Sequence, residues 1–562
     1  MRGFSVRAES RVGSLVRVTA PAPPALLRTV PAWLRTLAAD FGDRTAIVGD
    51  SGRFCYAELE EVSARIAQSL LEAGVGKGTH VGICLPNGPE WVLAWLAAAR
   101  IGAVAVPLNT FSKTRELGWM LRHADVAVLL TIASLGSIDF LAQLEEIDSG
   151  LVAQAPGRLV STALPHLRRV YSFGGTRAWT APAESLANAP ADARFDAALL
   201  RAAEAEVAAS DPLFILYSSG STADPKGAVH AHGPVLRHSR RLGSIRGVAA
   251  DDRIWSPMPF FWVGGIVFSL LGAMHAGACL LTESIFEPGA TLRLLERERA
   301  TAAIGWPHFG KLLVEHPDHP KRDLSALRAG NLPMLLPPDV CPTDPELRPN
   351  GLGMTETCGP HSYTGERPLP ESLRGCFGHA IPGVLHKIVD PESGAALPAG
   401  ATGEICVRGD SLMLGLYKRE RAETFDADGW YHTGDAGFLT RDGLLYFQGR
   451  LGDMIKTAGA NVTPSEVESV LMGFAEVKAA FVVGVADATR GENVAAAIVP
   501  EPGAAIDVAE LRARTRGQLA AYKVPRHVLV TELAALPFTD SGKIEKRKLR
   551  ALLEGLVASQ QI

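Results

Sequence analysis

The sequence LFILYSSGSTADPKGAVHAHG, residues 213–233, decides how the rest of the chain is interpreted. Its apolar run at 213–217 predicts a buried strand, which leads directly into small hydroxyl residues and glycines. Backbone N–H groups of such a loop can approach an anion closely and form a concave nest. The residues that would bind a polyphosphate are Ser218, Ser219, Gly220, Ser221, Thr222 and Lys226. No Ser or Thr follows the lysine and its glycine, so the loop differs from the GTPase phosphate loop, and a plain surface turn is the alternative.

Outward from this segment, helix-like and strand-like patterns alternate. PEWVLAWLAAARIG at 89–102 predicts a helix that leads into the apolar strand AVAVPL, and a helix at 117–123 leads into VAVLLTI. This alternation predicts an α/β protein with parallel sheets flanked by helices. Residues 385–450 differ, because short strands are broken by Gly-Asp and Asp-Gly turns, which predicts a small antiparallel, β-barrel-like subdomain.

The pattern resets after residue 450, and we expect a domain boundary at 451–452. Three parts follow from this: a poorly ordered N-terminal tail (1–30), a large domain (31–450, including the antiparallel subdomain 385–450) and a smaller, mobile α+β C-terminal domain (451–562). The Arg-rich tail lacks the apolar run of a secretory signal, and an organellar transit segment is its alternative reading.

Composition excludes several classes of protein. The 562 residues include 56 Lys and Arg and 60 Asp and Glu, which is not the basic excess expected of a nucleic-acid binder. Seven cysteines without a C-x-x-C pair argue against a zinc cluster or a disulfide framework and fit a reducing, cytoplasmic location. Residues 254–282 carry no Asp, Glu, Lys or Arg, but their prolines and glycines predict loop, helix, turn and strand rather than a transmembrane span.

Two further motifs contain isolated acids in glycine-rich surroundings. In NGLGMTETCGPH, residues 350–361, Glu356 is a candidate magnesium ligand, with a solvated surface acid as the alternative. In DGWYHTGDAG, residues 428–437, Asp435 could accept hydrogen bonds from both hydroxyls of a ribose, with an ordinary turn aspartate as the alternative.

The last two motifs lie after the predicted boundary. In residues 449–471, Thr463, Pro464 and Glu466 form the start signal of a helix whose apolar face follows at helical spacing. The preceding half, up to residue 461, is rich in small residues, as expected of a mobile loop. PFTDSGKIEKRKLR, residues 537–550, contains Lys543 in a turn, and spacing alone gives this lysine no catalytic role.

In this order and spacing, the five motifs resemble the adenylate-forming enzymes: acyl-CoA synthetases, peptide-synthetase adenylation domains and beetle luciferases. The resemblance covers residues 32–553. It implies that the loop from Ser218 to Lys226 holds the β- and γ-phosphates of ATP, that Thr355 contacts the α-phosphate and that Glu356 holds Mg²⁺.

The resemblance implies roles for the remaining candidate residues as well. Asp435 and Arg450 would bind the ribose, and Lys543 would be the catalytic lysine of adenylation. Gly351 and Leu352 would border ATP. The residues that would line the acyl pocket are Phe261, Trp262, Gly264, Gly330, Asn331 and Gly353. Ala458 and Gly459 would line the path of coenzyme A, and Gly452 would be the hinge of the C-terminal domain.

The implied activity is ATP-dependent activation of a carboxylic acid, followed by transfer to coenzyme A. Delivery to a carrier-protein thiol or to an amine is the alternative, and a homodimer is left open. Residues 260–263, FFWV, predict an apolar wall, and no basic residue is identified near it, which favours a monocarboxylic fatty or aryl acid. The sequence departs from the family at four positions. Gly452 stands where relatives more often carry Asp or Lys, and Leu352 stands where they carry Tyr. Trp262 replaces a common His, and Ala223 replaces a common Gly.

Overall fold

The structure is a computed structural model that describes residues 29–560 except 189, 191, 219–224, 454, 458–459, 463, 488–489, 520 and 540–542. The chain forms two compact units. The described part of the first comprises 29–372, 381–384 and 409–420, and the second comprises 373–380, 385–408 and 421–560. The predicted boundary at 451–452 lies within the second unit and stays a prediction, and residues 1–28 of the predicted tail lie outside the described residues.

An eight-stranded sheet forms the centre of the first unit. Its strands lie in the spatial order Gly415–Leu416, Lys226–Ala231, Pro212–Ser218, Val104–Pro107, His80–Cys84, Val128–Ile132, Arg169–Phe173 and Ala181–Pro182. All neighbours from Pro212–Ser218 to Ala181–Pro182 pair in parallel, while the first two pairings are antiparallel. The predicted parallel architecture is thus confirmed.

A second, six-stranded sheet lies in the same unit. Its order is Ala329–Gly330, Ala302–Ala303, Arg253–Trp255, Cys279–Leu281, Thr45–Gly49 and Gly52–Cys55. Every pairing is parallel except the last, which joins two strands through a tight turn. Short strands complete the unit at Ser134–Leu135, Ile138–Asp139, Gly353–Met354, Gly359–Pro360 and Ser362–Tyr363.

Helices alternate along the chain with the strands of the eight-stranded and six-stranded sheets. They span Val30–Phe41, Tyr56–Glu72, Pro89–Arg100, Thr114–His123, Phe140–Ile147, Ala197–Ala205, His232–Ile245, Gly272–Ala276, Pro288–Arg297 and Pro307–Glu315, with a π-helix at Gly264–Leu271. Three of them begin at a proline, whose missing N–H costs nothing in the first turn. Pro89–Arg100 is buried almost all round, and the guanidinium of its last residue pairs with Glu204 at 2.5 Å and Glu60 at 2.7 Å.

The second unit contains two sheets. Strands Val384–Val389, Gly403–Gly409, Tyr431–Leu439 and Leu445–Arg450 form a four-stranded sheet, which agrees with the antiparallel subdomain expected from the turn pattern. The other sheet contains Ala460–Val462, Ile455–Thr457, Gly491–Pro500, Val477–Asp487 and His527–Val530. Helices Pro464–Met472, Val508–Arg516 and Lys546–Gln560 complete this α+β portion, and a short strand lies at His379–Ala380.

The uncharged stretch 254–282 folds as its prolines and glycines predict. It contributes the end of strand Arg253–Trp255, a loop, the consecutive helices Gly264–Leu271 and Gly272–Ala276, and strand Cys279–Leu281. Its second helix ends at Gly277, in the left-handed conformation that glycine adopts without strain. Among the helices of the described residues, none is long and apolar enough to cross a membrane.

Candidate active site

Two antiparallel strands of the first unit hold the ends of the predicted phosphate loop. Ser218, the last residue of strand Pro212–Ser218, is the register partner of Lys226, the first residue of strand Lys226–Ala231. The Ser218 hydroxyl and the Lys226 ammonium group are therefore attached to backbone positions that lie opposite each other on the two strands. The loop residues Ser219, Gly220, Ser221 and Thr222 lie outside the described residues.

The segment that contains Thr355 and Glu356 lies against the same pair of strands. A short 3₁₀ turn, Thr355–Thr357, connects the antiparallel strands Gly353–Met354 and Gly359–Pro360. Ser218 donates from Oγ to Oε1 of Glu356 at 3.3 Å, and His230 donates from Nε2 to the carbonyl of Thr355 at 2.8 Å. Hydrogen bonds from both strands therefore fix this acid beside the beginning of the phosphate loop.

Glu356 is 8% exposed, and Met413 donates its backbone N–H to the carbonyl of Glu356 at 3.0 Å. Together with the Ser218 hydroxyl, its carboxylate offers the hard oxygen ligands that Mg²⁺ prefers. The residues present therefore fit the predicted magnesium ion.

A cavity of about 370 Å³ opens in the first unit. Its wall contains five residues that the resemblance assigned to the ATP and acyl sites: Gly264, Gly330, Asn331, Gly351 and Gly353. They come from three separate stretches of the sequence, and the tertiary fold brings them together. The size suits a small organic ligand.

The glycines of this wall are required by close backbone contacts. A Cβ on Gly351 would lie 2.7 Å from the ring of Tyr363, and one on Gly353 would lie 2.4 Å from the carbonyl oxygen of Gly359. Gly330 has φ +131°, and a Cβ there would lie 1.9 Å from the carbonyl oxygen of Ala303. Any side chain at these positions would displace the wall of the cavity.

Three predicted pocket residues are not among those that line the cavity. Phe261 is buried against Trp262, and Trp262 packs edge-on against Trp306, which does line the cavity, at a ring distance of 5.7 Å. The Leu352 carbonyl accepts the backbone N–H groups of His361 and Ser362. Leu352 thus lies next to the cavity residues Gly351 and Gly353 in the chain, and its aliphatic side chain offers no aromatic ring for base stacking.

The sequence did not identify a basic residue near the acyl wall, and the structure corrects this. Arg246 lines the cavity, and its side chain is only 5% exposed. Glu366 and Tyr363 line the cavity as well. Arg246 follows a helix that also contains Arg237, Arg240 and Arg241. In the sequence it therefore looks like one more charge of a solvated helical face.

The second unit contains the predicted ribose residues. Strands Tyr431–Leu439 and Leu445–Arg450 make Asp435 and Arg450 register partners, and Arg450 Nε lies 2.9 Å from Oδ1 of Asp435. The Asp435 side chain is 4% exposed, while Arg450 also donates from Nη1 to the carbonyl of Thr433 at 2.9 Å. The turn aspartate is therefore a buried, ion-paired carboxylate in a fixed position.

Lys543 is exposed in the second unit. Its backbone N–H donates to Thr539 Oγ1 at 3.2 Å, and its carbonyl accepts the N–H of Thr539 at 2.8 Å, so these two residues lie side by side. Gly452 lies in the 3₁₀ turn Leu451–Asp453, where an added Cβ would meet no atom within 4 Å. The predicted coenzyme A residues Ala458 and Gly459 lie outside the described residues.

These features define a class: a large unit with two parallel sheets, a strand–loop–strand phosphate motif beside a buried acid, and a smaller α+β portion that carries a lysine near its end. Comparison with known families agrees. The model of the AMP-binding enzymes matches residues 34–417, and that of the AMP-binding enzyme C-terminal domain matches residues 466–543. The chain belongs to this family, the superfamily of adenylate-forming enzymes, and it is an enzyme of that class.

Three relatives illustrate the similarity. The chain is 33% identical to 3-[(3aS,4S,7aS)-7a-methyl-1,5-dioxo-octahydro-1H-inden-4-yl]propanoyl:CoA ligase of Mycobacterium tuberculosis, over 94% of this chain and 99% of that protein. ATP-bound MatB from Rhodopseudomonas palustris superposes with a TM-score of 0.74 at 25% identity, over 94% of this chain and 99% of the other. The amide bond synthetase McbA from Marinactinospora thermotolerans gives 0.74 at 26% identity, over 93% and 99%.

Proposed function

We propose that this enzyme is an AMP-forming acid–CoA ligase that uses ATP, Mg²⁺ and coenzyme A. The observation that carries the proposal is the cavity in which Gly264, Gly330, Asn331, Gly351 and Gly353 meet, because these residues were assigned beforehand to a nucleotide and an acyl group. In the first step a carboxylate oxygen attacks the α-phosphorus of ATP, and pyrophosphate leaves. In the second step a thiolate attacks the acyl carbon, a thioester forms and AMP leaves.

The residues of the chain divide the work of the first step. Lys226 and the loop after Ser218 bind the β- and γ-phosphates, and Asp435 with Arg450 binds the ribose. Thr355 and Lys543 donate hydrogen bonds toward the oxygens of the α-phosphate, where negative charge grows as the acid attacks. Donors that are already oriented toward developing charge supply the largest stabilisation of such a transition state.

Glu356 and the hydroxyl of Ser218 would hold Mg²⁺, which neutralises phosphate charge when it is bound. The hydrogen bond between the two residues orients the carboxylate, and His230 holds the adjacent carbonyl. Gly452 would act as the hinge that lets the C-terminal domain (451–562) withdraw Lys543 and admit the thiol past Ala458 and Gly459. A glycine without neighbours tolerates such a change of backbone angles.

The acyl substrate is a monocarboxylic acid with an apolar chain or ring. Met258, Val263, Phe268, Ile304 and Trp306 supply an apolar lining that suits an apolar acyl group. The Mycobacterium tuberculosis relative, whose name specifies a bicyclic propanoyl group, supports an acid with a ring.

Coenzyme A is the favoured acceptor because a relative that is 33% identical, over 99% of its own length, is named a CoA ligase. An amine is the second candidate, since the amide bond synthetase superposes equally well. A carrier-protein thiol would use the same chemistry as coenzyme A.

One experiment tests the activity and separates these acceptors. The enzyme is incubated with ATP, Mg²⁺ and a panel of fatty and aryl acids, and pyrophosphate release is followed. Coenzyme A, an amine or a carrier protein is then added, and the product is identified by mass spectrometry. Acid-dependent pyrophosphate release with an acyl-CoA product is expected; release without any thioester would move the assignment to amide formation, and no release with any acid would refute it.

A further inference from the structure

A polar cluster lies in the wall of the cavity and consists of Arg246, whose side chain is buried, and the half-buried residues Tyr363 and Glu366. The guanidinium carbon of Arg246 lies 3.9 Å above the ring of Phe268, and Nη1 donates to the Phe268 carbonyl at 2.6 Å. Nε lies 3.7 Å from Oε1 of Glu366, and Tyr363 donates its hydroxyl to that same oxygen. Within the described residues, the Arg246 side chain thus makes one hydrogen bond, to the Phe268 carbonyl, and one ion pair, with Glu366.

The charge of Arg246 is costly to bury, and its half-buried partner Glu366 offsets only part of that cost. A guanidinium carries five N–H donors, and these contacts use only some of them. Burial raises the pKa of Glu366, although the charge of Arg246 and the Tyr363 hydroxyl lower it in part. Ion pairs in a protein interior contribute little net stability, because desolvation offsets their attraction. A purely structural wall could be built from apolar residues.

The position of the cluster relative to the reacting carboxylate follows from the helix that lines the cavity. Gly264 begins the π-helix Gly264–Leu271, Phe268 is four residues further along it, and both residues line the cavity. We infer that the carboxylate end of the acid lies on the Gly264 side, close to Trp262 in the chain. Arg246, stacked on Phe268, then lies further along the cavity wall, toward the far end of the acyl group.

We propose that Arg246 and Glu366 select acids whose far end carries an uncharged oxygen, such as a keto, hydroxyl or ether group. The free N–H groups of Arg246 donate to that oxygen, and a hydroxyl can in addition donate to Glu366. This assignment rests on the proposed function and narrows its substrate class. It departs from a plain fatty acid, whose terminal methyl group would leave the cluster without a partner.

Charge balance favours an uncharged oxygen over a second carboxylate. Arg246 already has an acid as its neighbour, so the pair together is close to neutral. A second carboxylate would meet the repulsion of Glu366 at the same point where Arg246 attracts it. A keto or hydroxyl oxygen needs only the donors and brings no further charge into the low-dielectric cavity.

The first arm of the test uses the unaltered enzyme. Acids are compared as matched pairs on straight-chain, aryl and fused bicyclic scaffolds, each with a distal keto or hydroxyl group, a distal methyl group or a distal carboxylate. The kcat/KM of pyrophosphate release is measured for each acid. We expect the oxygen-bearing member of the preferred scaffold to exceed its methyl analogue by about 10²-fold or more, because the analogue leaves buried polar groups unpaired.

The second arm uses the double variant Arg246→Met with Glu366→Gln, which removes both charges together and leaves no buried charge alone. The preference for the oxygen-bearing acid should then fall to within about threefold of the methyl analogue, chiefly through the KM of the acid. Arg240→Met is the matched control, because Arg240 lies on helix His232–Ile245 and does not line the cavity. It should keep the preference of the unaltered enzyme.

The outcomes distinguish this inference from the function on which it rests. An active enzyme whose kcat/KM for the methyl analogue equals or exceeds that for the oxygen-bearing acid would overturn the inference and leave the proposed function standing. A preference for the dicarboxylate, or a double variant that folds and still discriminates, would overturn it as well. Absence of pyrophosphate release with every acid would refute both. Should the double variant fail to fold, the first arm alone decides.

Discussion

Ser218 and Glu356, 138 residues apart in the sequence, are joined by a hydrogen bond of 3.3 Å from Oγ to Oε1. One lies at the end of the strand before the phosphate loop, and the other lies in the glycine-flanked turn that follows Met354. Because His230 also bonds the Thr355 carbonyl, two contacts connect these motifs. Glu356 and the end of the strand that precedes the predicted phosphate loop are therefore held together within the first unit.

Glu356→Gln tests the role of this carboxylate. The amide oxygen can still accept from Ser218, so we expect the protein to fold, but it lacks the charge that would hold Mg²⁺. The kcat of acid-dependent pyrophosphate release should fall by about 10²-fold or more, and the Mg²⁺ concentration for half-maximal rate should rise. Glu315→Gln, at an exposed helix end, is the control. An unchanged Mg²⁺ dependence in the Glu356 variant would contradict the assignment.

Lys543→Ala separates the two half-reactions. This exposed lysine is proposed to act only while the acyl-adenylate forms, so pyrophosphate release should fall by about 10²–10³-fold. Thioester formation from a supplied acyl-adenylate should stay within a few-fold of the unaltered enzyme, as measured by single-turnover assay. Lys548→Ala, on the exposed face of the last helix, should alter neither rate. Equal losses in both half-reactions would show that Lys543 has another role.

Gly452→Pro tests the hinge, and Gly452→Ala is its matched control. Nothing lies within 4 Å of a Cβ at this position, so alanine should be accommodated and both half-reactions should persist. Proline fixes φ near −65° and should slow thioester formation by about tenfold or more relative to adenylation. Both rates are obtained from rapid-quench measurements. If proline leaves their ratio unchanged, the hinge lies elsewhere.

Acid sensitivity of the fold should depend on His230. Burial lowers its pKa to about 4, below the usual value of about 6.5, so the unfolded chain binds a proton between these pH values that the folded protein excludes. The free energy of unfolding should therefore fall as the pH drops below 6.5, by about 1.4 kcal/mol per pH unit for this group.

His230→Gln keeps a donor for the Thr355 carbonyl but cannot titrate. Denaturant unfolding at pH 7 and pH 5 should show a loss on acidification about 2 kcal/mol smaller than in the unaltered protein. The same loss in both proteins would mean that the pKa of His230 is not depressed in the folded state.

Local patterns predicted the elements of this fold well. The helix Pro89–Arg100 and the strand Val104–Pro107 follow from an apolar pattern that switches period after a glycine. Proline at 464 marks the first residue of helix Pro464–Met472, as the start signal predicted, although Thr463 itself lies outside the described residues. These features depend on neighbours within a few residues, and such neighbours are visible in the sequence.

The acyl cavity could be predicted only in part. The resemblance named Gly264, Gly330, Asn331, Gly351 and Gly353, and all five line it. It gave no sign of Arg246 or Glu366, which are 120 residues apart and which look like ordinary surface charges in the sequence. Arg246 follows helix His232–Ile245, which packs beside the π-helix Gly264–Leu271, and Glu366 comes from the segment after strand Ser362–Tyr363, so their proximity depends on long-range packing that no periodicity encodes.

By itself, the sequence determined the family, the parallel α/β architecture and the order of the phosphate, acid and lysine motifs, because these depend on residue type and spacing along the chain. Only the tertiary structure decided that Ser218 bonds Glu356 and that Arg246 and Glu366 line one cavity. The physical reason is that burial and ion pairing are properties of the surroundings. A side chain acquires them only when distant segments pack against it.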